Sequence, residues 1–359
     1  MNPRIEINTD KLTYNAKQIC RMCDEHGITP AAVTKGFCAI PQVAASLVAG
    51  GIKILADSRI ENLKKMRTLR TRTMLLRLPM ISQAETVVKY ASISLNSEWK
   101  TLQALNEAAG NQNRQHQVIL MADLGDLREG IMEEAELLEL VKRMQQLKHL
   151  SLIGLGTNLT CFGAVIPDEN NLGKLTELTK KVEKQLGRKL EFVSGGNSSS
   201  VYLMMKNRMP KGITNLRIGE SILIGTESAF GERVPDMYYD AFQLVAEVVE
   251  IREKPSLPIG EIGMDAFGGK PTFTDKGIRK RAIVAVGKQD LATHPVKSLE
   301  PGVDILGSSS DHMILDITDA EKKYDIGSEM KFFLSYGAML ALTTSPYVST
   351  QLISGGLKD

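Results

Sequence analysis

The chain has 359 residues, of which 43% are hydrophobic and 24% charged, and its formal net charge is +2. This composition is ordinary for a soluble globular protein and allows one large domain with a smaller one. Because no segment concentrates basic residues with aromatic ones, nucleic acid is not an expected partner. We find neither the apolar core of a signal peptide nor a run of about 18 apolar residues, which predicts a cytoplasmic protein with no membrane contact.

The four cysteines predict neither a disulfide framework nor a metal centre. Cys20, Cys23, Cys38 and Cys161 are too few to cross-link a chain of this size. Cys20 and Cys23 form a C-x-x-C pair, but the pair lies in a helical stretch and no second pair completes a zinc site. We therefore expect structural cysteines and no bound metal.

After a helix predicted over residues 10–25, short β-type runs alternate with helical patterns as far as residue 225. Most runs are almost continuously apolar, as expected for parallel strands buried on both faces. The predicted strands span residues 29–34, 52–56, 73–78, 92–95, 118–122, 150–155, 190–193 and 216–218. Eight strands interleaved with helices predict an α/β fold with a (β/α)8 TIM-type barrel. An open doubly wound sheet is the alternative, but Lys35–Cys38 lacks its glycine-rich fingerprint.

The pattern changes after about residue 230. Strand-like runs at 241–251, 281–286, 313–317 and 331–334 are separated by Gly, Pro and Asp turns, and no long helical period is present. This stretch predicts a second, mostly β domain at the C-terminal end of the chain.

Lys35 stands where the first barrel strand ends, with Gly36 directly after it. A lysine at this position is held on a rigid scaffold with its tip free. Such an amine suits condensation with a carbonyl, either on a substrate or on pyridoxal phosphate (PLP). The alternative is a surface lysine that caps a strand.

Other polar groups and two glycine-containing loops follow the predicted strands, where barrel enzymes carry their chemistry. These strand-end positions are Lys35, Asp57, Arg77, Asn96, Asp123, Asn158, Ser194–Asn197 and Arg217–Gly219. The small, hydroxyl-rich run Ser194–Ser200 opens a helix, so its backbone N–H groups can cradle a phosphate, although a plain flexible loop has the same composition. Arg217 is permanently charged; facing a pyridine nitrogen it would keep that nitrogen unprotonated, and facing solvent it would be a strand-end charge.

The order of several segments resembles one enzyme family along nearly the whole chain. These segments are Arg4–Asn8, Val33–Gly36, Asp57–Asn62, Ala122–Gly130, Gly195–Ser198, Leu216–Gly219, Ser309–Met313 with Asp316, and Ser345–Tyr347. In order and spacing they resemble the PLP-dependent amino-acid racemases of the alanine racemase fold type, fold type III, and most of all the ornithine racemase branch. The resemblance implies a head-to-tail homodimer with a PLP-binding barrel over residues 8–228. It also implies that residues 229–359, with an N-terminal strand at 1–7, complete the partner's active site.

The resemblance also implies the reaction and its residues. L- and D-amino acids, most of all ornithine but also lysine or another basic amino acid, would interconvert by two-base proton transfer at Cα through an external aldimine. The implied cofactor-binding residues are Lys35, which forms the Schiff base, and Asn158, Ser194, Gly196, Asn197, Ser198, Arg217, Gly219 and Tyr347. The implied catalytic residues are Lys35, Lys288, Asp311 and His312.

The chain departs from the alanine racemase pattern at two positions. Lys288 stands where alanine racemases carry the tyrosine of a Gly-Tyr-x-Asp run, and Asn158 stands where they carry a histidine stacked on the pyridine ring. Both departures argue against alanine as the substrate. They leave open whether Lys288, or Asp311 or His312 of the partner chain, serves the second face of the substrate.

Two other functions of the same fold remain possible from the sequence. A metal-assisted lyase resembling D-threonine aldolase or D-serine dehydratase would use Asp311 and His312 as ligands, but the run before Lys35 lacks the arginine-proline-histidine of those enzymes. A PLP homeostasis protein resembles the barrel alone, so residues 230–359 count against it. The distal ammonium group of a basic substrate needs an acidic or carbonyl partner, for which Glu220, Asp265 and Asp311 are equal candidates.

Overall fold

The computed structural model describes residues 1–357 and divides into two compact units. One unit comprises Met1–Asn8, which contains strand β1 (Arg4–Asn8), together with Asp240–Ser354. The other comprises Thr9–Tyr239 and, at the end of the described residues, Gly355–Leu357. The boundary between the two units follows Tyr239, eleven residues beyond the position 228 implied by the resemblance. The stretch up to Tyr239 is bound to helix residue Asn15: Asn15 Nδ2 donates to the Tyr238 carbonyl at 2.7 Å, and Asn15 Oδ1 accepts from the Tyr238 amide at 2.8 Å.

The larger unit is a closed parallel barrel of eight strands, which confirms the predicted fold class. Its strands are β2 (Thr29–Val33), β3 (Ile54–Asp57), β4 (Arg72–Leu75), β5 (Ile93–Asn96), β6 (His116–Met121), β7 (Leu150–Thr157), β8 (Phe192–Gly195) and β9 (Asn215–Ile218). Strand β2 closes the barrel by pairing with β9, and Ala31 is the register partner of Arg217. The interior is filled by buried side chains such as Val33, Met74 and Phe192.

Helices connect the barrel strands. They are α1 (Thr9–Asp24), α2 (Pro41–Ala49), α3 (Ile60–Lys65), α4 (Ala84–Tyr90), α5 (Trp99–Asn111), α6 (Glu134–Met144), α7 (Glu169–Leu186), α8 (Val201–Met205) and α9 (Glu220–Ile224). The best-defined ends belong to α7, which begins at a capping box between Asp168 and Asn171 and stops at Gly187 in the left-handed region. No helix within residues 1–357 is long and apolar enough to cross a membrane.

The smaller unit is a mostly antiparallel β domain. Besides β1 it contains β10 (Phe242–Pro255), β11 (Ile278–Val284), α10 (Lys288–Leu291), β12 (Val296–Ser298), β13 (Asp304–Ser308), β14 (Met313–Asp316), β15 (Glu329–Leu334), α11 (Tyr336–Thr344) and β16 (Ser349–Ile353). The strand order is β12-β15-β10-β11-β14-β13, and β1 pairs antiparallel with β10 and parallel with β16. Fully buried Phe242 and Phe332 lie in its core.

The prediction that this domain lacks a long helical period is wrong for α11. The Ser335 side chain accepts from the Ala338 amide and begins a helix of nine residues. The helix is apolar or small nearly all round, so its sequence shows no alternation of polar and apolar faces. Strands β13 and β16 also went unpredicted, because most of their residues are exposed and form no apolar run.

Candidate active site

Lys35 lies directly after β2, where the chain turns into a short 3-10 helix, Lys35–Phe37. The preceding Thr34 amide donates to the Ala56 carbonyl on the neighbouring strand at 2.8 Å, and Phe37 is fully buried. The Lys35 side chain is half-buried, and among residues 1–357 its Nζ makes no hydrogen bond or ion pair. An amine with a fixed backbone and a free tip suits covalent attachment to a carbonyl.

Asp57, at the end of β3, fixes the loop that carries Lys35. Its carboxylate accepts from Thr34 Oγ1 at 2.6 Å, from the Arg59 amide at 2.8 Å and from Asn62 Nδ2 at 3.1 Å. Burial raises the pKa of Asp57, and these donors together with the charge of Lys35 act in the opposite direction. Asp57 therefore joins the residue before Lys35 to the start of α3.

Arg217, at the end of β9, is buried with only neutral partners. Its side chain is 4% exposed; Nη1 donates to Ser194 Oγ at 2.6 Å and Nη2 to the Thr157 carbonyl at 2.7 Å. Burial lowers the pKa of Arg217 to about 10. No carboxylate within the described residues forms a salt bridge with it, so the guanidinium is a buried cation whose N–H groups are not all used. Of the two alternatives for Arg217, the strand-end charge in solvent is excluded.

The glycine-serine loop after β8 is held in one conformation by a hydrogen bond within it and by one to the loop after β7. Asn197 Oδ1 accepts from the Ser199 amide at 2.8 Å, and Asn197 Nδ2 donates to the Leu159 carbonyl at 2.9 Å. Gly196 has a φ of +108°, and a Cβ there would lie 2.7 Å from Ser200 Oγ. The loop therefore has a defined conformation, unlike a plain flexible loop, and it requires glycine at position 196.

Two backbone donors that follow β9 converge on a hydroxyl in the loop after β8. Ser198 Oγ accepts from the amides of Gly219 and Ser221, each at 3.2 Å. The hydroxyls of Ser199 and Ser221 are buried without a partner in the described part of the chain. A Cβ at Gly219 would lie 3.1 Å from Val33, so these donors lie beside the strand that leads to Lys35. Converging amides and unpaired hydroxyls can bind an anion.

Arg128, Glu129 and Asn158 form a second charged group at the barrel mouth. Arg128 and Glu129 form an ion pair, which raises the pKa of Arg128. In the amide orientation that satisfies both of its atoms, Asn158 Oδ1 accepts from Arg128 Nη2 at 3.0 Å. The Glu129 carboxylate also partly opposes the effect of burial on the pKa of Arg217. Arg128 and Glu129 are not among the predicted site residues; the only signal for them was the family-like stretch Ala122–Gly130.

Three of the predicted residues lie in one corner of the β domain. The Lys288 amide donates to the Ser309 carbonyl at 2.9 Å, and a Cβ at Gly287 would lie 2.3 Å from the Ser310 carbonyl oxygen. The backbone of Lys288 is therefore close to the segment that contains Asp311 and His312, both exposed. The Asp311 carboxylate accepts from Ser310 Oγ at 2.7 Å.

Tyr347 is joined to the same corner through two hydrogen bonds. Its amide donates to Ser345 Oγ at 3.2 Å, and Ser345 Oγ donates at 2.6 Å to the buried carboxylate of Asp290 in α10. The Tyr347 side chain is 65% exposed. The backbone of Tyr347 is therefore held in place, while its phenol hydroxyl is accessible.

The three candidate partners for the distal ammonium group of the substrate differ in their burial and in the hydrogen bonds and ion pairs that they already form. Glu220 is half-buried and accepts only from Thr226 Oγ1 at 3.3 Å, and burial raises its pKa. Asp265 accepts two backbone amides and lies 3.9 Å from Lys288 Nζ. Asp311 is exposed. Of the three, Glu220 is the one that is half-buried, since Asp265 and Asp311 are both exposed.

Comparison with known proteins agrees with this architecture. Residues 7–227 match the family described as "Alanine racemase, N-terminal domain". The chain is 48% identical to the ornithine racemase of Acetoanaerobium sticklandii, across 98% of this chain and 100% of that protein. It is 36% identical to the lysine racemase of Thermotoga maritima, across 96% and 97%. The crystal structure of alanine racemase from E. faecalis has the same fold, with a TM-score of 0.71 at 17% identity and 98% coverage of each chain. The chain therefore belongs to the alanine racemase N-terminal domain family, which confirms the resemblance inferred from its sequence.

Proposed function

We propose that the protein is a PLP-dependent racemase that interconverts the L and D forms of a basic amino acid, with ornithine as the preferred substrate. The observation that carries the proposal is the pair of cations at the barrel mouth: the free amine of Lys35 and the buried, carboxylate-free guanidinium of Arg217. The relatives named for ornithine and for lysine both support a basic substrate, and the higher identity to the former favours ornithine.

The residues at the barrel mouth fit PLP. Lys35 would hold its aldehyde carbon, and the amides of Gly219 and Ser221 with Ser198 would hold its phosphate. Arg217 would face the pyridine nitrogen and leave it unprotonated, because guanidinium keeps its own proton. When bound, PLP withdraws electrons from the substrate and makes the Cα–H bond acidic. The remaining residues proposed to contact it are Ser194, Gly196, Asn197, Asn158 and Tyr347.

Lys35 is proposed to exchange a proton with one face of the substrate Cα. Its backbone is fixed between Thr34 and the buried Phe37, so Nζ can be brought to the same atom in every turnover. Racemisation also needs an acid or base on the opposite face. A single amine on one face returns the proton to the side from which it came.

For the second face we propose Lys288, with Asp311 and His312 as alternatives in the same corner of the β domain. The support is that Lys288 stands at the position of the tyrosine in the Gly-Tyr-x-Asp pattern and has a fixed backbone. The proposal includes a head-to-tail homodimer, in which the β domain of one protomer completes the barrel site of its partner.

Glu220 is proposed to receive the distal ammonium group of the substrate. Its carboxylate follows Arg217–Gly219 directly, is half-buried and has a single long hydrogen bond. A carboxylate in this setting gains more from an incoming cation than one already saturated by donors.

We also propose a cytoplasmic location. All four cysteines are free, which is usual in a reducing compartment.

A chiral assay of the purified protein with PLP tests the function. L-ornithine, L-lysine, L-alanine and D-threonine would be incubated separately, each with and without a chelator, and both enantiomers and any cleavage products measured. We expect D-ornithine to form fastest, D-lysine more slowly, and neither rate to respond to the chelator. Racemisation of a neutral amino acid without ornithine would contradict the substrate. Chelator-sensitive cleavage of D-threonine would favour the lyase, and bound PLP without turnover would favour the carrier.

A further inference from the structure

The ammonium group of Lys288 is held by the loop of residues 256–277, which joins β10 to β11. Lys288 Nζ lies 3.9 Å from Asp265 Oδ2 and 4.0 Å from the centroid of the Phe267 ring. The lysine side chain is 24% exposed. A carboxylate and an aromatic face on one ammonium restrict its position more than either alone.

Asp265 is itself fixed by the backbone around it. Its Oδ1 accepts from the Phe267 amide at 2.9 Å and from the Gly269 amide at 2.8 Å, while the Asp265 amide donates to the Gly269 carbonyl at 2.7 Å. The Gly269 and Phe267 amides lower the pKa of Asp265, so the carboxylate is ionised at neutral pH. These bonds aim the second oxygen, Oδ2, at Lys288.

Burial does not account for the position of Phe267. Its side chain is 52% exposed in a loop whose neighbours are also exposed, yet its ring lies directly under the lysine ammonium. The ring and the carboxylate therefore converge on Lys288 from a segment that contributes no core to the domain.

We propose that Asp265 and Phe267 are positioning residues for Lys288, an inference that rests on the proposed function of Lys288 as the second acid–base group. In one direction of the reaction the Lys288 ammonium gives a proton to Cα, and in the other the neutral amine takes it back. Asp265 exchanges no proton. It stabilises the ammonium and, with the Phe267 ring, holds Nζ at one place in the corner of the domain.

Hydrogen–deuterium exchange at Cα distinguishes the two faces of the substrate. The holoenzyme and its variants would be incubated in deuterated buffer with pure L-ornithine or pure D-ornithine, and deuterium in the recovered, uninverted enantiomer measured. Without Lys288, Lys35 still exchanges the proton that faces it, so Lys288→Ala should lose exchange for one enantiomer only. Asp265→Asn should lower the exchange of that same enantiomer about tenfold, less than the loss of about 10²–10⁴ expected for removing an acid–base group outright.

Three further variants make the result specific. Phe267→Leu should lower exchange of the same enantiomer by a smaller factor, and Asp265→Glu should restore part of it. Asp275→Asn is the control in the same loop, since that carboxylate contacts Ser256 and the Gly277 amide, and it should change neither enantiomer.

Two results would overturn the inference. If Lys288→Ala lowers the exchange of one enantiomer only, while Asp265→Asn lowers the exchange of both equally or of neither, the positioning role is wrong and Lys288 remains the second base. If Lys288→Ala itself affects both enantiomers equally, the second base in the proposed function is wrong, and the positioning role falls with it.

Discussion

Arg217 is the side chain of the barrel that most strongly indicates a bound ligand. It is buried against Ser194 Oγ and the Thr157 carbonyl, with burial lowering its pKa to about 10. A buried cation without a carboxylate costs free energy in the folded protein. Such a cost is expected where the charge serves a ligand rather than the fold.

The substitution Arg217→Gln separates these two roles. Without PLP, the free energy of unfolding should fall by no more than about 1 kcal/mol or should rise, because the desolvated charge is removed. With PLP, the stabilisation of the wild type by the cofactor should be largely lost in the variant. Thermal unfolding with and without PLP measures both. A large loss of stability without PLP, with an unchanged response to PLP, would show that Arg217 serves the fold.

The position of Arg217 at a strand end could be predicted from sequence, but its burial could not. The strand predicted over residues 216–218, followed by Gly219, places the residue at the barrel mouth. Its burial depends on contacts with Ser194 and with the backbone carbonyl of Thr157. Both residues are far from Arg217 in the sequence, so no local pattern indicates these contacts. For the same reason the sequence leaves Asp265 as a candidate partner for the substrate ammonium group, whereas in the structure its carboxylate lies 3.9 Å from Lys288 Nζ.

At the scale of elements, the loop after β8 depends on backbone geometry rather than on side-chain chemistry. Gly196→Ala would place a Cβ at a φ of +108° and 2.7 Å from Ser200 Oγ. We expect a loss of about 1–3 kcal/mol in the free energy of unfolding, together with weaker PLP binding. Chemical denaturation and PLP titration give the two quantities.

Gly173→Ala is the matched control for this loop. Gly173 lies within α7, and no atom lies within 4 Å of a Cβ added there. The substitution should stabilise the protein by about 0.5–1 kcal/mol and leave PLP affinity unchanged. Equal effects of the two substitutions would remove the argument that position 196 shapes a binding loop.

The barrel was easier to predict than the β domain. Its eight strands are buried apolar runs, so each leaves a local pattern, and the observed strands overlap the predicted ones. In the β domain, the order β12-β15-β10-β11-β14-β13 joins distant parts of the chain. Strand β1 pairs with β10 and β16, which no local pattern encodes.

At the scale of the whole molecule, the two units should lose stability in different pH ranges. In the barrel, His116 is buried with Nε2 2.8 Å from Ser94 Oγ, and burial lowers its pKa from 6.5 to about 4. In the β domain, the hydrogen bond from Arg4 is the main cause that lowers the pKa of Glu329 from 4.5 to about 2. In both cases the unfolded chain binds the proton more readily than the folded chain.

His116 therefore contributes its full stabilisation above pH 6.5 and loses it as the pH falls through about 4. Glu329 contributes above pH 4.5 and loses its share as the pH falls toward about 2. We expect the barrel to lose on the order of 3 kcal/mol through His116 in the first range. Denaturant unfolding at a series of pH values, followed by hydrogen exchange to separate the units, measures this. The variant His116→Gln should flatten the slope between pH 6.5 and 4, and an unchanged slope would contradict the assignment.

Lys35 is the residue on which the proposed cofactor attachment and proton transfer depend, so its replacement tests the proposed function most sharply. Wild type, Lys35→Ala and Lys53→Ala would be compared for conversion of L-ornithine to D-ornithine and for the visible absorbance of lysine-bound PLP. Lys53 is the control because it is exposed before β3, at the opposite end of the barrel. We predict that Lys35→Ala loses about 10²–10⁴-fold in rate together with the absorbance, while Lys53→Ala stays within about twofold of wild type. Near-wild-type racemisation by Lys35→Ala, or equal losses in the two variants, would show that the proposed role of Lys35 is wrong.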